Sequence, residues 1–237
     1  MKEKIDKSKK FIIDNIRWIL FFIALVIILF ITEEVFRMDI LNIDKTVYDF
    51  LSTHFISDNL TPFVKAFTNL GGAVVLAIFS TLILVFVNDK RIGISVFLNM
   101  TGQTIINFVL KNLVKRPRPS GFRLIEESGY SFPSGHSMGS AAFYGYLIYL
   151  TFKLEKNKKV KVSLISLFSA LILGIGLSRI YLGVHYTSDV LAGYLVSFAY
   201  LCVFTHLISG YLKLNDKNKD GKNKTNTIED NVTKENK

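Results

Sequence analysis

The apolar residues of this chain fall in long uninterrupted runs rather than at the period of an amphipathic helix. Runs 18–31, 66–87, 92–110, 137–152, 162–178 and 190–212 contain no Asp, Glu, Lys or Arg. A helix that crosses a bilayer needs about 20 mostly apolar residues. The middle runs meet that length directly, and the first and fourth reach it when extended through 11–17 and 134–136. The pattern predicts an all-α integral membrane bundle with about six transmembrane helices. It divides the chain into a basic stretch 1–10, a six-span domain 11–212 and a tail 213–237. The tail is nearly all Lys, Asn, Asp, Thr and Glu. Such a composition buries too little apolar surface to fold, so disorder is expected there.

The first run lacks a small-residue cleavage site and continues into Thr32-Glu33-Glu34-Val35-Phe36, so it reads as a retained span. In the connection 32–61, Phe36, Ile40, Leu41, Ile43, Val47, Phe50 and Leu51 recur at roughly helical spacing. A short helix lying in the outer interface is expected, read first as packing filler and second as a shield for the site or an entry for lipid. Small residues four apart, Ser137, Ala141 and Gly145, then Gly174 and Ser178, predict close approach of the fourth and fifth spans.

Charge sharpens this picture. The chain of 237 residues is 50% hydrophobic and 20% charged, with a formal net charge of +10. That excess is topological rather than a nucleic-acid surface. Lysines cluster at Lys2, Lys4, Lys7, Lys9 and Lys10, at Lys90-Arg91, over 153–161 and from Lys213 onward, which are alternate connections. Positive-inside bias then places both termini in the cytoplasm of a plasma-membrane protein, with the bilayer and its anionic lipids as partners. The connection 32–61 carries Glu33, Glu34, Asp39, Asp44, Asp49 and Asp58 against Arg37 and Lys45, as an outer loop should. One outer connection breaks the rule, because it holds Lys111, Lys115, Arg116, Arg118 and Arg123. Its charges need another reason, and anion binding supplies one. Cys202 is the sole cysteine, so no internal disulfide and no cysteine metal cluster can form.

Three pieces at outer span ends carry the candidate chemistry. Lys111 is followed by Arg118-Pro119, then comes Pro133-Ser134-Gly135-His136, then Ser178-Arg179 with His185 and Asp189. Catalysis at a phosphate ester is mostly positioning, together with neutralising charge on the phosphoryl oxygens. Lys111, Arg118 and Arg179 can clamp those oxygens, the arginines through two-point bonds. Ser134 reads as the N-cap of the fourth span, and the amides near Ser134 and Gly135 suit an anion. His185 and Asp189, four apart, are expected on one helical face, where the carboxylate fixes the tautomer and frees the other ring nitrogen to attack. His185 is thus the nucleophile candidate, passing through a phosphohistidine. His136 is the candidate acid for the leaving oxygen and base for water. His54 and His206 lack such company and read as structural. One clear carboxylate beside three cations suits no divalent ion, so no metal and no cofactor is expected.

These motifs resemble the type 2 phosphatidic acid phosphatase superfamily, which includes membrane lipid phosphatases and soluble vanadium haloperoxidases. The family pattern is Lys-x6-Arg-Pro, then Pro-Ser-Gly-His, then Ser-Arg-x5-His-x3-Asp, and every position is matched in order. The likeness covers roughly 60–212. It implies a six-helix membrane fold, a metal-independent phosphatase and the residue roles above. Six apolar spans set the chain apart from the soluble haloperoxidases. The run Phe122-Arg123-Leu124-Ile125-Glu126 and the turn at Ser128-Gly129 look like bacterial phosphatidylglycerophosphatase and undecaprenyl-diphosphate phosphatase members. The expected substrate is a lipid phosphate met at the outer face, with a polyprenyl diphosphate such as undecaprenyl diphosphate first. Phosphatidylglycerophosphate or phosphatidate comes second. A non-catalytic lipid-phosphate binder or transporter is the alternative of another class. No obligate protein partner is evident.

Overall fold

The computed structural model describes residues 2–37, 40–120 and 123–212, with side chains from residue 15 onward. The tail 213–237, Asp39, Phe122 and the side chains of the first ten residues lie outside that description, so the expectations made for them lie outside it too. Eight α-helices follow in order, α1 (Lys2–Phe36), α2 (Asn42–His54), α3 (Thr61–Thr68), α4 (Ala73–Phe86), α5 (Lys90–Val114), α6 (Gly135–Leu154), α7 (Lys158–Tyr181) and α8 (Thr187–Tyr211). Among the described residues there is no strand.

Local chemistry sets the helix ends. Asp89 caps α5 through its carboxylate on the Arg91 amide at 3.1 Å. Asn157 caps α7 by accepting from the amides of Lys159 and Val160 at 3.0 and 3.3 Å. Such caps satisfy first-turn amides that have no helical partner. α5 stops at Lys115, whose left-handed backbone (φ 53) turns the chain two residues before Pro117.

Among the described residues four helices are long and apolar enough to cross a membrane: residues Asn15–Phe36 of α1, then α5, α7 and α8. The second apolar run, expected as one span, is instead a broken pair. α3 and α4 meet at 49° across the short 3-10 turn Asn69–Gly71. The turn between them has a steric requirement. A Cβ at Gly71 would stand 2.4 Å from Ile175 Cγ2 and 3.2 Å from the His136 carbonyl, so only glycine lets the turn nest against α6 and α7.

α6 is the central helix, packed by α4, α5, α7 and α8, and its residues 137–144 are all buried. Enclosed in this way, it can carry Ser137, Gly139 and Ser140 where a lipid-facing helix would carry leucine. That composition leaves it outside the helices apolar enough to span. The expected nearness of α6 and α7 is present. The small residues act differently from expectation, since Gly145 faces Leu201 of α8 and Gly174 faces Phe67 of α3.

At the end of the bundle that carries the motif loops, two satellite clusters brace those loops. Ile31 and Val35 of α1 pack with Phe132, Ala192 and Val114. Tyr181, Leu182 and Val184 hold Ile56, Leu60, Leu124 and Ile125.

Candidate functional site

All three motif pieces meet at this end of the bundle. Ser134 does cap α6: its Oγ accepts from the Ser137 amide at 3.4 Å and from Ser137 Oγ at 2.9 Å. Its own amide donates to the Asp189 carbonyl at 3.1 Å, tying the α6 start to α8. A Cβ at Gly135 would sit 3.3 Å from Asn107 Oδ1 and 3.9 Å from Lys111 Cε, so the bare backbone lets α5 bring Lys111 close.

His185 and Asp189 are in contact, Nδ1 to Oδ2 at 3.3 Å, but the expected helical geometry needs correction. His185 lies outside the helix, before the N-cap Tyr186, and Asp189 is the third helical residue. The Asp189 carboxylate reaches back to accept the Tyr186 amide at 2.9 Å, and that return brings it to the imidazole. Ser131 Oγ also donates to Asp189 Oδ2 and lies 3.3 Å from His185 Nδ1. With Nδ1–H turned to the carboxylate, Nε2 keeps its lone pair, which Arg118 Nη1 meets at 3.0 Å.

The clamp cations are all engaged by one short loop segment. Arg179, 1% exposed, donates through Nη2 to Glu127 and through Nη1 to Thr68 Oγ1 at 3.2 Å, while its buried Nε has no partner among the described residues. Arg118 donates to the carbonyls of Ser128, Gly129 and Val184 at 2.9, 3.1 and 3.0 Å. Lys111 Nζ donates to the Tyr130 carbonyl. Residues 127–130 thus supply an acceptor to every cation expected to hold phosphate. Glu127 Oε2 is also 3.8 Å from Arg118. Glu127, which belongs to none of the three motifs, thus sits against two of the three cations.

Electrostatics follow from burial. Burial pushes His185 down to about 4; Asp189 opposes that shift, while Arg118 and Arg179 reinforce it. Burial raises the Glu127 carboxyl, but Arg179 and Arg118 outweigh it and hold the group below its ordinary value. His136 stands in the first turn of α6, half-buried, with Arg179, Glu127 and His185 as electrostatic neighbours.

Besides Glu127, Arg116 and Asp44 escaped sequence reasoning. Arg116 Nη1 donates to Asp189 Oδ1 at 2.7 Å and to Ser188 Oγ at 2.8 Å, and its Nη2 donates to Asp44 Oδ2 at 3.1 Å. Its guanidinium also lies over the Tyr186 ring, 4.0 Å from the centroid. Asp44, on α2, accepts the Ser188 amide at 2.7 Å and Ser188 Oγ at 2.9 Å. The helix read as interfacial filler therefore sends a carboxylate into the site. No spacing singles out Asp44 among six acids or Arg116 among five cations. The sequence signal was limited to a basic outer loop that broke the charge rule.

Two of the cavities at the cluster, one beside each histidine, share no lining residue. One of about 410 Å³ touches His185, Tyr186, Pro119 and the α2 residues Asp44 and Tyr48. The other, about 430 Å³, touches His136, Gly135, Gly71, Asn107, Met100 and Phe97. Among the described residues no group of three or more His, Cys, Asp or Glu is arranged to hold a metal ion.

Known proteins resemble this chain in sequence and in fold. The sequence profile of the PAP2 superfamily matches residues 92–212. Phosphatidylglycerophosphatase B of Bacillus subtilis (strain 168) is 39% identical over 106 residues, 43% of this chain and 51% of that protein. The match thus spans about half of that relative's length. Dolichyldiphosphatase 1 of Dictyostelium discoideum is 26% identical over 163 residues, 67% of this chain and 68% of that one. The crystal structure of a transmembrane PAP2 type phosphatidylglycerolphosphate phosphatase from Bacillus subtilis superposes with a TM-score of 0.64 at 24% identity. It covers 80% of this chain and 94% of its own, a likeness of fold.

Proposed function

The chain belongs to the PAP2 superfamily, and from that premise we propose that this multi-pass membrane protein hydrolyses a lipid phosphate through a phosphohistidine on His185. The observation that carries the proposal is the His185–Asp189 contact, set among Arg118, Arg179 and Lys111. A site that only binds phosphate has no use for an imidazole held by a carboxylate with the lone pair of its second nitrogen turned to the cations.

In this mechanism the incoming phosphoryl oxygens take over the donors of Arg118, Arg179 and Lys111 from residues 127–130. They also reach the amides near Ser134 and Gly135 at the α6 start. Drawing Arg118 onto phosphate uncovers His185 Nε2, which attacks the terminal phosphorus as its bond to the leaving oxygen breaks, an ester bond in a monophosphate and an anhydride bond in a diphosphate. Asp189 keeps the Nδ1 proton and stabilises the cationic phosphoimidazole. In-line displacement puts the leaving oxygen opposite His185. There His136 supplies its proton, then takes one from the water that opens the phosphoenzyme. The cavity beside His136 is lined by α4, α5 and α6 residues such as Met100 and Phe97, which suits a lipid alcohol. The charge work falls to three cations and a helix start, so the reaction proceeds without a metal.

The topology that accompanies this reading has six spans, with α3 and α4 acting as one and α6 enclosed. Both termini, including the tail 213–237, are cytoplasmic, and the site is extracytoplasmic. A cysteine at Ser120 in a Cys202→Ser background should react with an impermeant thiol reagent on intact cells. Reaction only after lysis overturns the topology.

Undecaprenyl diphosphate is the first substrate, in keeping with the likeness to a dolichyldiphosphatase. Phosphatidylglycerophosphate is the second reading, favoured by the name of the 39% identical relative. Purified protein in detergent, given undecaprenyl diphosphate, phosphatidylglycerophosphate and phosphatidate in excess chelator, should release phosphate from at least one. No release from any of them, or release only with added divalent ion, contradicts the reading.

A further inference from the structure

Asp189 has a second oxygen that the proposed reaction does not use, and the way that oxygen is held points beyond the motif residues. Asp189 is fully buried, its Oδ2 facing His185, Ser131 and the Tyr186 amide, while Oδ1 takes Arg116 at 2.7 Å. Arg116 in turn spans to Asp44 on α2. Asp44 is 3% exposed and accepts from both the amide and the hydroxyl of Ser188, in the first turn of α8. Tyr186, the N-cap of α8, makes no side-chain cap bond, so the first-turn amide of Ser188 is satisfied by a carboxylate from another helix.

We propose that Asp44 and Arg116 are positioning residues for the nucleophile, a buried relay that fixes the rotation of the Asp189 carboxylate and the start of α8. The inference rests on the reading of His185 as nucleophile. Arg116 suits this place because a planar guanidinium can reach two carboxylates and a hydroxyl at fixed angles, which an ammonium cannot. Asp44 completes the charge balance. One cation between two carboxylates leaves a single net negative charge, and that charge opposes the positive charge that develops on His185 during attack. Without Asp44 the Arg116 charge cancels that of Asp189, and the imidazole loses much of this support. Neither residue touches phosphate in this scheme, so substrate binding should be indifferent to them.

The test uses the full-length protein in detergent, with single-turnover rates on phosphatidylglycerophosphate and on a polyprenyl diphosphate. The variants are Asp44→Asn, Arg116→Lys and the two combined. Each single variant should slow the chemical step about tenfold at unchanged half-saturation, the low end of what outer supports of a reactive group contribute. The double variant should be no slower than the worse single one, because each breaks the same relay. Rates within twofold of wild type, a rise in half-saturation alone, or losses that multiply in the double variant would each overturn the proposal. Should Asp44→Asn fold poorly, Ser188→Ala removes only the hydroxyl shared by Asp44 and Arg116. It should still cost about threefold in rate, and wild-type behaviour there counts against the relay. A wild type that releases no phosphate from any lipid sinks the nucleophile reading itself, whereas an active wild type with unaffected variants sinks only the relay.

Discussion

The two histidines of the site live in unlike surroundings. His185 is 3% exposed and hemmed in: Asp189 and Ser131 hold Nδ1, Arg118 covers Nε2, and Arg116 and Asp44 brace the carboxylate from behind. His136 is half-buried at the first turn of α6, backed by the Gly71–Gly72 break and open to a cavity lined by span residues. An enclosed imidazole keeps one tautomer and one direction, as a nucleophile needs. A freer one at the edge of a cavity lined by span residues can meet leaving groups of different shape, as a proton donor needs. The contrast also separates what every substrate must use from what only some require.

The sharpest break of that contrast is His185→Ala. With no nucleophile, turnover of every lipid phosphate should fall by about 10⁴-fold or more. Residual activity above that on any substrate means a second nucleophile. His136→Ala should be selective. A lipid monophosphate expels an alkoxide that needs a proton, while a diphosphate expels a phosphate ester that leaves without help. The monophosphate should therefore slow by a further factor of about ten to a hundred, within the range for acid catalysis. Single-turnover rates on a matched pair with one lipid tail measure this, and equal slowing would make His136 a binding group instead.

Glu127 offers a smaller effect on the shared clamp. Its carboxylate holds Arg179 and lies near Arg118 in the site as it stands, so an incoming anion must displace it. Glu127→Gln should tighten inhibition by vanadate or inorganic phosphate about threefold to tenfold, since less binding energy goes into opening the clamp. Weaker inhibition would show that the carboxylate builds the clamp rather than competing for it. Smallest is a pH effect. Burial holds the His185 imidazole down near 4, so its neutral, attacking form persists well below the ordinary histidine range. The acid limb of kcat/KM, corrected for the substrate's own ionisation, should fall as pH drops through about 4. A limb near 6.5 means that a less buried group controls attack.

The sequence was most legible where a pattern is redundant. Three spaced motifs came together at one end of one bundle, and the helices Asn15–Phe36, α5, α7 and α8 fall where four of the six apolar runs do. It was least legible where a single contact decides. The break at Gly71 depends on Ile175, more than a hundred residues away. His185 lies before α8 rather than on it because a carboxylate three residues into the helix bonds back to the N-cap amide. Asp44 looked like one acid among several in an outer loop, and only the fold shows it accepting from Ser188 and Arg116. Glu127 carried no motif at all. Long-range polar partners leave no period in a sequence, so they had to be found in space.

The central claim is that His185 carries the phosphoryl group. It is tested most directly by trapping the phosphoenzyme: lipid substrate labelled in its terminal phosphate is mixed with purified protein and quenched in base during turnover. A phosphoramidate at histidine survives base and is lost in acid. The account predicts base-stable, acid-labile label on the peptide that contains His185. The label should persist in His136→Ala with a diphosphate substrate and be absent in His185→Ala. Turnover without any trapped label, or label retained in His185→Ala, would contradict it.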